Sequence, residues 1–139
     1  MAGRPPAALT PAELLRQARG LLERSVAPHS RFRVAALLED SGAATHPGVN
    51  VESVSYGLSI CAERNALFGA LSRGASGFQR LAVVSETMRP VLPCGACRQV
   101  LLEHAPGLTL VVERDDGSPE ELSLADLMPR PFTDFRRKP

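Results

Sequence analysis

Residues 61–71 read CAERNALFGAL and residues 93–104 read PCGACRQVLLEH, and together they hold all three cysteines of a 139-residue chain. Each stretch predicts a helix. The first runs from about Cys61 to Leu71 and is ended by SRGASG; the second runs from Cys94 to His104 and is stopped by APG. Both cysteine clusters then fall at helix N-termini, where free backbone N–H groups and the positive end of the dipole favour anions and lower the pKa of a thiol. Cys94 and Cys97 stand three apart and project on the same side of a first turn. Pro93 suits a helix start and brings no donor to compete for the sulfurs. Cys61 and Glu63 are separated by about 200° of helical rotation. In a first turn, however, the Cα–Cβ bonds tilt toward the N-terminus, so both side chains reach past the helix end into one space.

Outward from these helices the pattern is that of one domain. Thr10 opens TPAE, with the form of a capping box: a Thr cap, Pro at the first helical position and Glu13 three residues on. Leu14, Leu15, Ala18, Leu21, Leu22 and Val26 recur at helical spacing and predict a helix to about Ser25. FRVAALLE and ATHPGVNV, separated by DSG, predict a hairpin whose second strand is made irregular by Pro47 and Gly48. RLAVVSE and LTLVVER have the continuous apolar character of buried strands. A turn at DDGSP leads to a short EELSL strand and a last helical turn near ADLM. The order α-β-β-α-β-α-β-β-α predicts an α/β fold, a three-layer α/β/α sandwich around a mixed five-stranded sheet. Residues 1–9 are expected to form a loose tail before a single domain spanning 10–139.

Composition narrows the function classes. With 16 basic against 15 acidic residues the net charge is +1, which argues against a polyanion as the main partner. The basic run Arg136-Arg137-Lys138 is expected to be a solvated tail. No apolar run approaches the roughly 20 residues a membrane span needs, and MAGRPPAAL lacks the apolar core of an export signal. An odd number of cysteines without such a signal does not read as a disulfide framework, so a reducing, cytoplasmic setting is expected.

Three thiolates and one carboxylate suit a metal site. A structural zinc site is closed by four ligands, usually all Cys and His. Here a fourth Cys does not exist, and His104 lies at the far end of its helix. Three cysteines and one open position form a catalytic arrangement, in which Zn²⁺ holds a water and lowers its pKa to about 7. Cys61, Cys94 and Cys97 are therefore assigned to the metal and Glu63 to the proton of that water. Two rivals stand beside this assignment: CGAC taken alone resembles a thiol-disulfide redox motif, and a metal-stapled interaction module would need no turnover. The redox alternative leaves Cys61-Ala-Glu63 without a purpose.

C-A-E, about thirty residues before P-C-G-A-C-R-Q, resembles the zinc signature of the cytidine deaminases in its all-cysteine form. The resemblance runs from roughly Pro28 to Phe132, through PHSRFRV, GVNVESVSYGLSICAER and LADLMPRPF. It implies the small, homotetrameric, zinc-dependent branch acting on free nucleosides. The implied reaction is hydrolysis of cytidine and deoxycytidine to uridine and deoxyuridine with release of ammonia, in pyrimidine salvage, with one zinc per chain. By the same resemblance Glu63 takes the proton from water, protonates ring N3 and delivers a proton to the leaving amine. Arg64 hydrogen-bonds the ligand sulfurs and draws charge off them.

Asn50 and Glu52 match the pair that binds the ribose 3′-hydroxyl, and Phe32 the aromatic against the pyrimidine. The Ala62 N–H matches the donor to the base O2, and the Leu92 carbonyl the acceptor of the exocyclic amine. Phe132 matches a phenylalanine that reaches a neighbouring subunit's site, and Tyr56 a residue at that shared boundary. The implied partners are a nucleoside and further copies of the chain, with no nucleic acid and no membrane. A polynucleotide-editing deaminase needs stacking aromatics and a basic groove, whereas this chain has one Tyr and no Trp. The family pattern is departed from at Arg33, Ala35 and Ser53, and a related branch deaminates the nucleoside antibiotic blasticidin S. The paired Asn50 and Glu52 favour ordinary nucleosides. His29, His46 and His104 are expected on the surface without a role.

Overall fold

Thr10 is extended and its hydroxyl accepts the Glu13 N–H at 3.2 Å, so the Thr cap of the predicted box opens α1 (Pro11–Arg19). The computed structural model describes residues 7–133; most of the predicted tail and the basic run at 136–138 lie outside the described residues. Leu9, at the end of that tail, packs on the core, and its carbonyl accepts from Arg80 at 2.5 Å. The first helix is shorter than its apolar spacing predicts. It stops at Gly20, where the Leu21 N–H tightens onto the Ala18 carbonyl, and Leu22–Arg24 continues as a 3₁₀ turn. Leu22 still buries its side chain on the same core, which is why the periodicity persists past the helix end.

The remaining elements are β1 (Val34–Asp40), β2 (Thr45–Val49), α2 (Ala62–Ser72), β3 (Phe78–Ser85), α3 (Gly95–His104), β4 (Thr109–Glu113) and β5 (Pro119–Ser123). The predicted last turn is the 3₁₀ segment Leu124–Leu127. The sheet order is β2-β1-β3-β4-β5, with β3–β4 parallel and the other pairs antiparallel. Alternate residues feed two cores, as the pleat requires. Ala35, Leu37, Ala82, Val84 and Val111 meet Leu14, Leu15 and Ala18 of α1 on one face. Ala36, Leu38, Leu81, Val83 and Leu110 meet Ala66, Leu67 and Ala70 of α2 and Leu101 of α3 on the other. This is the three-layer α/β/α arrangement around a mixed five-stranded sheet that the element order predicts. No helix among the described residues is long and apolar enough to cross a membrane.

Strand β2 is more regular than its Pro-Gly pair predicts: its register with β1 runs unbroken from Ala35↔Val49 to Glu39↔Thr45. The bonds Asn50 N–H to Val34 O and Asp40 N–H to Ala44 O mark the hydrogen-bonded pairs. Counting from them, Leu37↔Pro47 is a non-bonded pair. The proline nitrogen therefore faces the open edge, where no ladder bond is lost.

Gly48, one residue on, faces α2. A Cβ there would stand 2.2 Å from the Ala62 carbonyl and 2.4 Å from the Ala66 nitrogen, so only glycine admits the helix this close. Asn65 Nδ2 donates to the Val49 carbonyl at 2.8 Å and fastens the same turn of α2 to the strand.

His46 is only 9% exposed, contrary to the surface position expected for it. Its Nε2 lies 2.9 Å from Asp40 Oδ2, and Arg73 Nη2 approaches Nδ1 at 3.3 Å. Arginine can only donate, so the bond to Arg73 is made with Nδ1 as the acceptor. Both partners lie on neighbouring elements, and they make burial of the imidazole tolerable.

Candidate active site

Cys61 is the N-cap of α2, at φ −70° and ψ 155°, and Cys94 is the N-cap of α3, at φ −67° and ψ 169°. Cys61 thus precedes the first helical residue. The helical rotation separating it from Glu63 does not apply, and the two side chains share one space. Cys97 lies in the first turn of α3, buried, while Cys94 is exposed. The three sulfurs lie within 4.8 Å of one another, with Cys94 and Cys97 3.6 Å apart, and all three are free thiols. Thiolates about 2.3 Å from a tetrahedral zinc stand about 3.8 Å apart. The trio comes within about an ångström of that spacing.

The charge balance also fits. Arg64 Nη2 lies 3.5 Å from Cys61 Sγ, and its buried Nε is a donor without an acceptor. Such a donor is costly unless negative charge gathers beside it, as it does when thiolates bind a cation. The Cys97 thiol, hydrogen-bonded to Cys61, pulls the Cys61 pKa down to about 5, and Arg64 adds to this. Cys97 is pushed up by donating that bond and by burial. Because thiols bind zinc as thiolates, metal binding at this trio would release the protons they carry. Replacing Arg64 by Gln is expected to weaken zinc retention roughly 10- to 100-fold with little change in fold, measurable by competition with a chromogenic chelator.

Glu63 is 5% exposed. Burial, and then the negative Cys61, raise its carboxyl to about 7, against the pull of its own backbone N–H. A carboxyl so placed exchanges a proton readily near neutral pH.

Glu63 lines a cleft of about 320 Å³. Ala62 and Cys61 stand beside it, Leu92 and Cys94 come from the approach to α3, and Phe32, Asn50 and Glu52 supply a further wall. Eight of the assigned residues thus meet in one hollow, with Cys97 and Arg64 against it. Ser30, Val34 and Val91 also line it and are missed by the sequence analysis. The two valines carry no polar signal. Ser30 carries only its place in PHSRF, two residues before Phe32.

Two assigned residues do not enter this cleft. Tyr56 is 75% exposed, in an adjoining hollow with His29, Ser30, Glu52 and Ser59, and its ring stands edge-on to His29 with centroids 5.8 Å apart. Phe132 is 65% exposed, and its carbonyl accepts from Gln99 Nε2 on α3.

The polar wall is already heavily bonded. Asn50 Oδ1 accepts the Val34 N–H at 2.9 Å and the Ser25 hydroxyl, and Nδ2 donates to the Phe32 carbonyl at 2.7 Å. Glu52 Oε1 accepts the His29 and Ser30 N–H groups at 2.9 and 3.0 Å, and Oε2 accepts the Ser30 hydroxyl. The departures from the family pattern lie off this wall. Ala35 packs in the α1-side core, Arg33 approaches Glu86 at 3.7 Å, and Ser53 Oγ accepts the Ser55 N–H at 3.1 Å.

The sequence matches the family model described as the cytidine and deoxycytidylate deaminase zinc-binding region over residues 10–112. A cytidine deaminase of Halalkalibacterium halodurans is 43% identical over 86% of this chain and 92% of its own length. One of Sporosarcina psychrophila is 41% identical over 87% and 90%. Among solved structures, cytidine deaminase from Burkholderia pseudomallei superposes with a TM-score of 0.84 at 42% identity, covering 89% of this chain and all of that one. These relatives favour neither the antibiotic-deaminating branch nor the redox alternative. Zinc is the cofactor that the matched region and the Cys61, Cys94 and Cys97 cluster share. With its three-cysteine centre, its layered sheet and its likeness over most of the chain all in agreement, this protein belongs to the cytidine and deoxycytidylate deaminase family.

Proposed function

We propose that this protein hydrolyses cytidine and deoxycytidine to uridine and deoxyuridine with release of ammonia. One observation carries this: a buried carboxyl with its pKa raised to about 7 stands against three convergent thiols in a cleft that is also lined by a donor–acceptor pair, Asn50 and Glu52. When bound, zinc supplies the acidity that makes water a nucleophile at neutral pH. Glu63 takes that water's proton and passes it to ring N3 as the C4–O bond forms. It then carries the second proton to the exocyclic nitrogen as the C4–N bond breaks and ammonia leaves. Each transfer leaves the carboxyl in the state the next one requires.

The other residues hold the substrate. The Ala62 N–H, free at the start of α2, meets the base O2; the Leu92 carbonyl accepts from the amine; the Phe32 ring packs on the base. Asn50 keeps one N–H and Glu52 one acceptor direction, which together suit a single ribose hydroxyl that accepts and donates. A free base leaves both unpaired, so cytosine is rejected.

Tyr56 and Phe132, with Val54 and Leu58, are large apolar side chains left exposed on the single chain. A homotetramer in which Phe132 enters a neighbour's site would cover them. Three unpaired thiols suit a reducing cytoplasm, where the activity serves pyrimidine salvage.

The test is an absorbance assay on zinc-loaded protein with cytidine, deoxycytidine, cytosine and blasticidin S, with metal content and solution mass measured in parallel. Turnover of both nucleosides, about one zinc per chain and a tetramer are expected. Zinc-loaded protein inert toward both nucleosides overturns the proposal.

A further inference from the structure

We propose that Ser30 is a positioning residue for nucleoside recognition: its hydroxyl aims the Glu52 carboxylate at the ribose and ties it to the peptide that carries Phe32. This rests on Asn50 and Glu52 being the ribose pair.

The bonding around Ser30 has a fixed direction. A serine hydroxyl has one proton and two acceptor sites. The Phe32 N–H donates to Ser30 Oγ at 3.0 Å, and Oε2 of Glu52 lies within hydrogen-bond reach of the same oxygen. An amide can only donate, and a carboxylate can only accept. The serine proton is therefore committed to Glu52. A chain of bonds runs from the Phe32 N–H through Ser30 to Glu52 Oε2, each polarising the next. The carbonyl of Phe32 is held from the other side by Asn50 Nδ2 at 2.7 Å. One residue, the one whose ring meets the base, is thus clamped to both members of the ribose pair.

Bond counting gives the consequence. A carboxylate has about four acceptor sites. Both on Oε1 are taken by the His29 and Ser30 N–H groups, and Ser30 takes one on Oε2. A single direction remains for a ligand hydroxyl. Without Ser30 the oxygen has two open directions, water fills either, and the carboxylate loses its aim. The Ser30 hydroxyl is also the largest influence holding the Glu52 carboxyl below its ordinary pKa, consistent with a bond made to the ionised form. The exposed turn at Ser30 tolerates alanine without a core defect.

The experiment compares kcat and KM for cytidine and 3′-deoxycytidine in the zinc-loaded wild type, Ser30→Ala, Ser30→Thr and Glu52→Gln, with zinc content and Tm as controls. In Ser30→Ala the preference for cytidine is expected to fall about tenfold, mostly through KM, because a bond to a charged acceptor loses its direction. Ser30→Thr, which keeps the hydroxyl, retains the preference. An equal loss on both substrates in Ser30→Ala means a structural role only and overturns the proposal. So does a preference that collapses in Glu52→Gln but survives in Ser30→Ala, which leaves the ribose pair standing. If Glu52→Gln keeps the preference, the ribose pair is wrong and the role of Ser30 falls with it.

Discussion

Glu63→Gln is expected to fold normally, keep its zinc and lose turnover of cytidine by roughly 10⁴-fold. The substitution keeps the volume of a side chain that is 5% exposed, so no cavity or clash arises in the start of α2. It also replaces an ionisable group in a site that penalises charge, so Tm should hold or rise slightly. An amide, however, neither takes the proton from water nor returns one to the leaving nitrogen. The loss should appear in kcat, with KM changed little, because the groups that hold the nucleoside are untouched. Zinc content measured on the same sample separates this from loss of the metal. A glutamine variant that keeps its activity within tenfold of wild type would remove Glu63 from the chemistry altogether.

Gly48→Ala is expected to be the most damaging small substitution in the fold. A methyl group there has nowhere to go. Its nearest neighbours, at 2.2 and 2.4 Å, are backbone atoms of α2, which cannot rotate aside as a flexible side chain can. Either the helix lifts from β2 or the strand bends, at a cost above about 3 kcal/mol and a fall in Tm of about 10 °C or more. The same shift moves Cys61 and Glu63, which sit at the end of the helix that Gly48 contacts. Thermal unfolding should therefore show the loss of stability, and chelator competition should show weaker zinc in whatever folds. A variant as stable as the wild type would mean that α2 is held further from the sheet.

How far the sequence carries depends on the range of the interaction. Helix starts are local: Thr10 is the cap expected, α2 and α3 begin one residue after the predicted starts with Cys61 and Cys94 as their caps, and the number of thiols alone leaves the metal one open position. The end of α1 is misjudged because Leu21 and Leu22 keep their apolar spacing while Gly20 changes the backbone beneath them. The regularity of β2 depends on which edge the Pro47 nitrogen faces, and that is decided by pairing with β1. Burial of His46 depends on Asp40 and on Arg73, a residue 27 positions away. The bonds of Ser30 belong to a turn folding back on Glu52, 22 positions on. Tyr56 and Phe132 resemble site residues yet lie outside this chain's own cleft, because a motif match fixes a residue's type and order but not the pocket its side chain lines.

Pro47 bears on what can add to the sheet at its open border. Outward-facing backbone groups on β2 belong to residues 45, 47 and 49; the proline offers no donor there, and the Val49 carbonyl is already taken by Asn65. An incoming strand finds too few partners to extend the sheet, which is a natural guard against fibre growth. Any association through this border must instead rely on side chains, which leaves the sheet closed at its own five strands.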